Sequence, residues 1–294
     1  NYDTDIFTET IKEIEKITGQ KYAGNIRDAR TGGTGKEIYD WNHSVSFRVI
    51  ADHIRAIAFT IADGQLPSNV GAGYVIRRIL RRAVRYYYSY FNYKQPLLYQ
   101  LIPLLANQFK NVFPELEKQL DFVSRVIKEE EEAFLRTISS GISKFQEYVY
   151  GSRQAARRIN DLLAQNLINS SIEYKSERFP KYALDLYIPD LKIGLEIFSA
   201  SNERAVLEKI KQAKEYESIF NVEVIPINSY NLIDPFLGTL LIGEKLRHSL
   251  NGKISTTIDG KTAFELYDTY GFPIDLTVLM AAELRWSVDV KGFE

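Results

Sequence analysis

In the segment GYVIRRILRRAVR, at about 100° per helical residue, Arg77, Arg78, Arg81, Arg82 and Arg85 gather into one arc of roughly 140°. Ile76, Ile79, Leu80, Ala83 and Val84 fill the opposite side. Like charges so placed repel one another unless an anion approaches, and a phosphate backbone suits an array of guanidinium forks. Such contacts supply salt-dependent affinity and position a partner without reading its sequence. The alternative is a face paired with carboxylates, for which the run Glu129 to Glu132 is the candidate neighbour. Tyr86, Tyr87, Tyr88, Tyr90 and Tyr93 follow closely. Such rings can stack on bases, but within a helix a packing role with a wet hydroxyl is preferred.

Other chemistry is sparse. The chain has no cysteine, so thiolate catalysis, disulfides and Cys-based metal sites are excluded. His43, His53 and His248 show no metal-ligand spacing, and no metal site is expected. GGTGKE has the outline of a phosphate-binding loop, but Arg30 stands where that loop needs glycine and Glu37 where it needs Ser or Thr. Asp185 and Glu196 lie on two consecutive strand-like segments and could bring two carboxylates together, as a two-metal nuclease requires.

The elements that must position these groups are mostly helical. Ile6, Phe7, Ile11, Ile14 and Ile17 recur at helical spacing over 4–18, with Gly19 as a stop signal. Residues 24–44, rich in glycine and polar residues, read as a loop or an ordered insert, 45–62 and 74–91 as helices, and 115–148 as a long helix with a bend or break at Ser139–Gly141. After Gly151 the texture changes: a helix over 152–168, strands over 172–176, 181–188 and 191–198, a helix over 202–219 and a strand over 222–228. Asp234 as N-cap and Pro235 open a further helix that Gly252 ends. The chain then returns to helices separated by a GFP turn. The expected fold is therefore a mainly α-helical domain interrupted by a small α/β insertion of order α-β-β-β-α-β-α. Its parts are 1–150, 151–252 and 253–294.

Composition agrees with a soluble globular chain. It has 294 residues, 45% hydrophobic and 26% charged, with a net charge of −1. No apolar run approaches a membrane span and the first 15 residues lack a signal-peptide core, so a cytoplasmic protein without membrane attachment is expected. The near-zero charge hides segregation. Residues 48–94 carry eight Lys and Arg against Asp52 and Asp63, giving +6 against −7 elsewhere.

Four blocks in order, NYDTDIF (1–7), ADHIRAIAFTIADGQLPSNVGAGYVIRRILRRAVR (51–85), KEEEEAFLRTI (128–138) and DGKTAFELYDTYGFPIDLT (259–277), closely resemble the alanyl-tRNA synthetase family. The resemblance implies a helical domain that recognises the acceptor stem of tRNA(Ala) within an ATP-dependent alanine–tRNA ligase. It maps Asn69, in LPSN, and Asp268, in LYDTYGFP, onto the residues that read the G·U wobble pair. An amide and a carboxylate can answer the acceptors and the guanine amino group of a minor groove. Without the resemblance, a turn or cap role is the simpler reading of both. The resemblance also places this chain after the class II motifs and before the editing domain. ATP and Mg²⁺ then belong to the parent enzyme, no cofactor is expected in this chain, and it is expected to be inactive alone. Its partners would be the acceptor stem, the catalytic domain upstream and the editing domain downstream.

The segment 151–252 departs from the family. Its element order is similar to restriction-endonuclease-like folds, including patch-repair-type enzymes. Their motif wants a lysine two residues after the second acid, and here Phe198 stands there. The alternative function is thus a metal-dependent nuclease or nucleic-acid-binding module in the insertion. A third reading is a structural scaffold whose basic face meets its own acids.

Overall fold

The computed structural model describes residue 2 and residues 4–24, 35–176 and 178–294. The segment containing Arg30, Gly32 and Gly33 lies outside the described residues. The chain divides into two units, residues 1–141 with 264–279, and residues 142–263 with 280–294.

In the first unit, α1 (Asp5–Thr18) buries Ile11 and Ile14, and Gly19 closes it at φ 72°. Helix α2 (Gly35–Ala62) packs on α1 and on α3 (Gly71–Tyr90), burying Phe47, Ile50, Ile54, Ile57 and Ile61. A 3₁₀ turn (Leu98–Leu101) and the short helices α4 (Ile102–Phe109) and α5 (Pro114–Lys118) lead to α6 (Leu120–Tyr150). Pro103 and Pro114 sit in first turns, where a missing N–H costs nothing.

In the second unit, α7 (Ser152–Gln165) leads into β1 (Ser171–Lys175), β2 (Ala183–Ile188) and β3 (Ile193–Phe198). Helix α8 (Glu203–Phe220) crosses to β4 (Glu223–Asn228), and α9 (Pro235–Leu246) follows. The expected α-β-β-β-α-β-α order is present. The sheet runs β1-β2-β3-β4, antiparallel except for the parallel β3–β4 pair that α8 connects. One face buries Leu186, Ile188, Leu195, Ile197 and Ile227 with Ile159 and Leu163 of α7 and Ile242 of α9. On the other, Leu184 and Val224 pack with Ala213 of α8 and an aromatic group including Tyr174 and Tyr216. The last elements are β5 (Thr257–Ile258), α10 (Gly260–Tyr270), α11 (Ile274–Glu283), β6 (Ser287–Val288), which pairs with β5, and α12 (Val290–Phe293).

Three expectations are corrected. Residues 35–44 are helix rather than loop, because Tyr39 and His43 project onto aromatic partners. The Tyr39 ring meets Tyr90 at 6.2 Å, and His43 lies 5.6 Å from Phe47 and 5.1 Å from Phe91. Helix α6 runs through Ser139–Gly141 without a break. Gly141 is there because a Cβ would lie 2.2 Å from the Phe272 ring, so the glycine admits a neighbour rather than ending the helix. Helix α9 stops at Leu246, before Gly252: Arg247 takes φ 56° and the chain folds back over Gly243, where the His248 N–H reaches the Gly243 carbonyl at 2.9 Å. No helix among the described residues is long and apolar enough to cross a membrane.

Candidate nucleic-acid interface

The loop before α3 is folded tightly onto the first turn of that helix. The Ser68 N–H donates to the Gly73 carbonyl at 3.0 Å, and Ser68 Oγ donates to the Val70 carbonyl at 2.7 Å. Gly73 is required: a Cβ there would lie 2.3 Å from the Leu66 carbonyl oxygen. Asn69 is held exposed at the tip. Its Oδ1 accepts a hydrogen bond from Arg77 Nη1. Because arginine only donates, this contact fixes the amide and leaves Nδ2 as its donor end.

The arginine arc is divided by its surroundings. Arg77 Nη2 lies 2.6 Å from Glu130 Oε1, and Arg81 Nη2 lies 3.7 Å from Glu130 Oε2. Arg81 Nη1 donates to the Gly271 carbonyl at 2.5 Å, and its guanidinium sits 5.2 Å from the Phe134 ring centre. Burial lowers the Arg81 pKa, and Glu130 opposes that shift. Arg85 is buried, 5.6 Å from the Tyr86 ring and 5.2 Å from the Tyr90 ring. Arg78 keeps 40% of its side chain exposed, with Nε 3.5 Å from Asp275 Oδ2. Arg82 is half-buried, and its charge is felt at His53 and Asp275. Two members of the arc thus share a carboxylate of the Glu129–Glu132 run, one packs under tyrosines, and Arg78 and Arg82 retain access to solvent. Tyr86 and Tyr87 are buried, as packing residues are.

Asp268 is exposed in the last turn of α10. The turn after it is anchored in three ways. Thr137 Oγ1 donates to the Tyr270 carbonyl at 2.9 Å, the Phe272 ring packs edge-on against Phe134 at 5.5 Å, and Arg81 holds the Gly271 carbonyl. Gly271 adopts φ 69°, and a Cβ would lie 2.5 Å from Arg81 Nη1. A continuous chain of contacts therefore runs from Asn69 through Arg77, Glu130 and Arg81 to the turn that follows Asp268.

Sequence reasoning missed the neighbouring Glu131, grouping it with the acidic run. Its carboxylate is fully buried and accepts from the N–H groups of Leu97, Leu98 and Tyr99 at 2.8, 2.8 and 3.1 Å and from the Tyr87 hydroxyl at 2.9 Å. Burial pushes its pKa up to about 7, against the four donors. The signal was positional: residue 131 falls on the stripe Ile127, Phe134, Ile138 that faces the core.

In the second unit, the antiparallel register of β2 and β3 places Asp185 beside Glu196. Asp185 Oδ2 accepts from the Ile197 N–H at 2.7 Å, while Glu196 Oε1 is buried without a hydrogen-bond partner. Burial first, and Asp185 second, push the Glu196 pKa up to about 8. Lys209 on α8 is the positive charge felt by both acids, a placement no sequence spacing indicates. Phe198 is buried where the nuclease motif wants lysine. Among the described residues no group of three or more His, Cys, Asp or Glu could hold a metal ion.

A family model described as tRNA synthetases class II (A) matches residues 1–170 and 233–294. The unmatched stretch between contains all four strands β1–β4 and helix α8. The chain is similar to the alanine–tRNA ligase of Cytophaga hutchinsonii, at 37% identity over all of this chain and 21% of that protein. It is also similar to that of Flavobacterium psychrophilum, at 48% identity over 88% of this chain and 27% of the relative. A third is the alanine–tRNA ligase of Parabacteroides distasonis, 45% identical over 69% of this chain and 21% of that protein. The chain thus spans about a fifth to a quarter of the length of these relatives.

Proposed function

Because the chain belongs to the class II tRNA synthetases (A), we propose that it is the acceptor-stem recognition part of an alanine–tRNA ligase acting in the cytoplasm. Asn69 and Asp268 read the G·U wobble pair, the amide donating to a groove acceptor and the carboxylate accepting from the guanine amino group. The single observation that carries this reading is the contact chain Asn69–Arg77–Glu130–Arg81–Gly271, which ties both readers to one scaffold. Arg78, with 40% of its side chain exposed, and the half-buried Arg82 meet phosphates and set register. Arg77, Arg81 and Arg85 add positive potential from behind. An exposed carboxylate on a surface facing RNA is repelled by phosphates unless it meets a base edge, which favours the role given to Asp268.

Alanine activation and transfer to tRNA belong to the parent enzyme, with ATP and Mg²⁺. On this recognition surface, among the described residues, no group of three or more His, Cys, Asp or Glu could hold a metal ion. The catalytic and editing domains are the chain's partners in that enzyme.

The test compares binding of tRNA(Ala) acceptor-stem duplexes carrying G·U or G·C. Asn69→Ala and Asp268→Ala should each remove roughly 1–3 kcal/mol of discrimination. Equal losses on both duplexes would overturn the assignment. A second reading, a metal-dependent nuclease or nucleic-acid-binding module in the α/β unit, rests on the adjacency of Asp185 and Glu196. It requires Mg²⁺- or Mn²⁺-dependent cutting that Asp185→Ala abolishes.

A further inference from the structure

We infer that Glu130 is a positioning residue for discrimination of the G·U pair, acting through Arg77 on Asn69 and through Arg81 on the turn after Asp268; this rests on the acceptor-stem reading above.

Glu130 is ill placed to touch RNA itself, since only 15% of its side chain is exposed. Its two oxygens instead face two different arginines, Oε1 toward Arg77 and Oε2 toward Arg81. Those arginines stand one helical turn apart on α3 with 20% and 15% of their side chains exposed, so little water screens their repulsion. A carboxylate between them lets both stay inward. Each arginine spends its other terminal nitrogen on the recognition surface: Arg77 Nη1 on Asn69 Oδ1, and Arg81 Nη1 on the Gly271 carbonyl. Removing the charge removes the reason for both guanidinium groups to remain. Once Arg77 turns outward, Asn69 loses the donor that orients its amide, and its oxygen and nitrogen ends can exchange places.

Glutamine at this position keeps the shape but presents one oxygen and one NH₂ group, so one arginine must face a donor. A lysine in place of Arg77 keeps the charge but cannot fork between Glu130 and Asn69. Both substitutions therefore break the relay without touching a residue assigned to base contact.

The experiment measures dissociation constants of the full 294-residue chain for G·U and G·C acceptor-stem duplexes across a salt series. It uses wild type, Asn69→Ala, Glu130→Gln, Arg77→Lys and the double variant Asn69→Ala/Glu130→Gln. The expected result is a fall of about fivefold or more in the G·U preference for Glu130→Gln and for Arg77→Lys. For Glu130→Gln the salt slope should stay at its wild-type value, because no phosphate contact is lost. The double variant should lose less preference than the sum of the two single losses, since one arm of the relay ends on Asn69. A structural role alone would lower melting temperature without moving the preference. If Asn69→Ala loses preference while folded Glu130→Gln keeps it, or if the two losses add, the role of Glu130 is overturned and the acceptor-stem reading stands. If wild type shows no preference, or Asn69→Ala retains it, the acceptor-stem reading falls and this inference with it. Should Glu130→Gln not fold, Arg77→Lys decides: a wild-type preference there overturns the relay.

Discussion

Arg81 Nη1 donates to the Gly271 carbonyl oxygen at 2.5 Å, joining α3 to a turn 190 residues later in the chain. With its other terminal nitrogen near Glu130 and only 15% of the side chain exposed, this arginine is built into the unit rather than offered to solvent. Arg81→Ala should therefore lower stability by about 2–4 kcal/mol, since it leaves Glu130 partly unpaired and the Gly271 carbonyl without its donor. Thermal unfolding measures this. The slope of log K against log salt for RNA binding should stay near its wild-type value. A slope reduced by about 1 would instead make Arg81 a phosphate contact.

Arg78 and Arg82 should behave in the opposite way. Arg78 is 40% exposed, and its 3.5 Å contact with Asp275 is of the weak surface kind. Replacing either residue by alanine should cost under about 1 kcal/mol of stability. Each should weaken binding of G·U and G·C duplexes alike and reduce the salt slope by about 1. A change in preference between the duplexes would place them at a base edge.

The contrast marks where a sequence stops being readable. Gly19 and the Asp234–Pro235 pair carry local signals, because a helix end is decided within a few residues, and both are where such signals put them. The arginine arc is equally local, set by helical spacing alone. What each guanidinium touches is decided by residues far away, and the partners of Arg81 and Glu131 include main-chain groups that any residue type carries. Nothing in the letters Glu129 to Glu132 separates the carboxylate that pairs two arginines from the one that caps a backbone turn. Only the core-facing stripe through Ile127 and Phe134 does so.

Gly141 illustrates the same limit and gives a direct measurement. In isolation, alanine at a mid-helix glycine gains about 1 kcal/mol. Here the added methyl would lie 2.2 Å from the Phe272 ring, an overpacking cost of about 1–3 kcal/mol. Gly141→Ala should lower the melting temperature. In a double-mutant cycle, Phe272→Leu should recover part of the loss. A stabilised Gly141→Ala protein would mean that the ring does not pack on this helix.

Glu196 supplies the pH prediction. Its ordinary pKa is 4.5, and burial with Asp185 alongside raises it to about 8 in the folded chain. Below about pH 4.5 both states hold the proton, and folding gains the full benefit of a neutral side chain at this site. As pH rises, the unfolded chain releases its proton first, so stability declines from there until the folded group ionises near pH 8. Because the side chain is only half-buried, solvent screening limits the swing to about 1–2 kcal/mol. Glu196→Gln should flatten the dependence of melting temperature on pH between 5 and 9 by about that amount. Wild-type and variant profiles that run parallel would show that the folded carboxyl is already ionised at neutral pH, and that a charged Asp185–Glu196 pair is tolerated on adjacent strands.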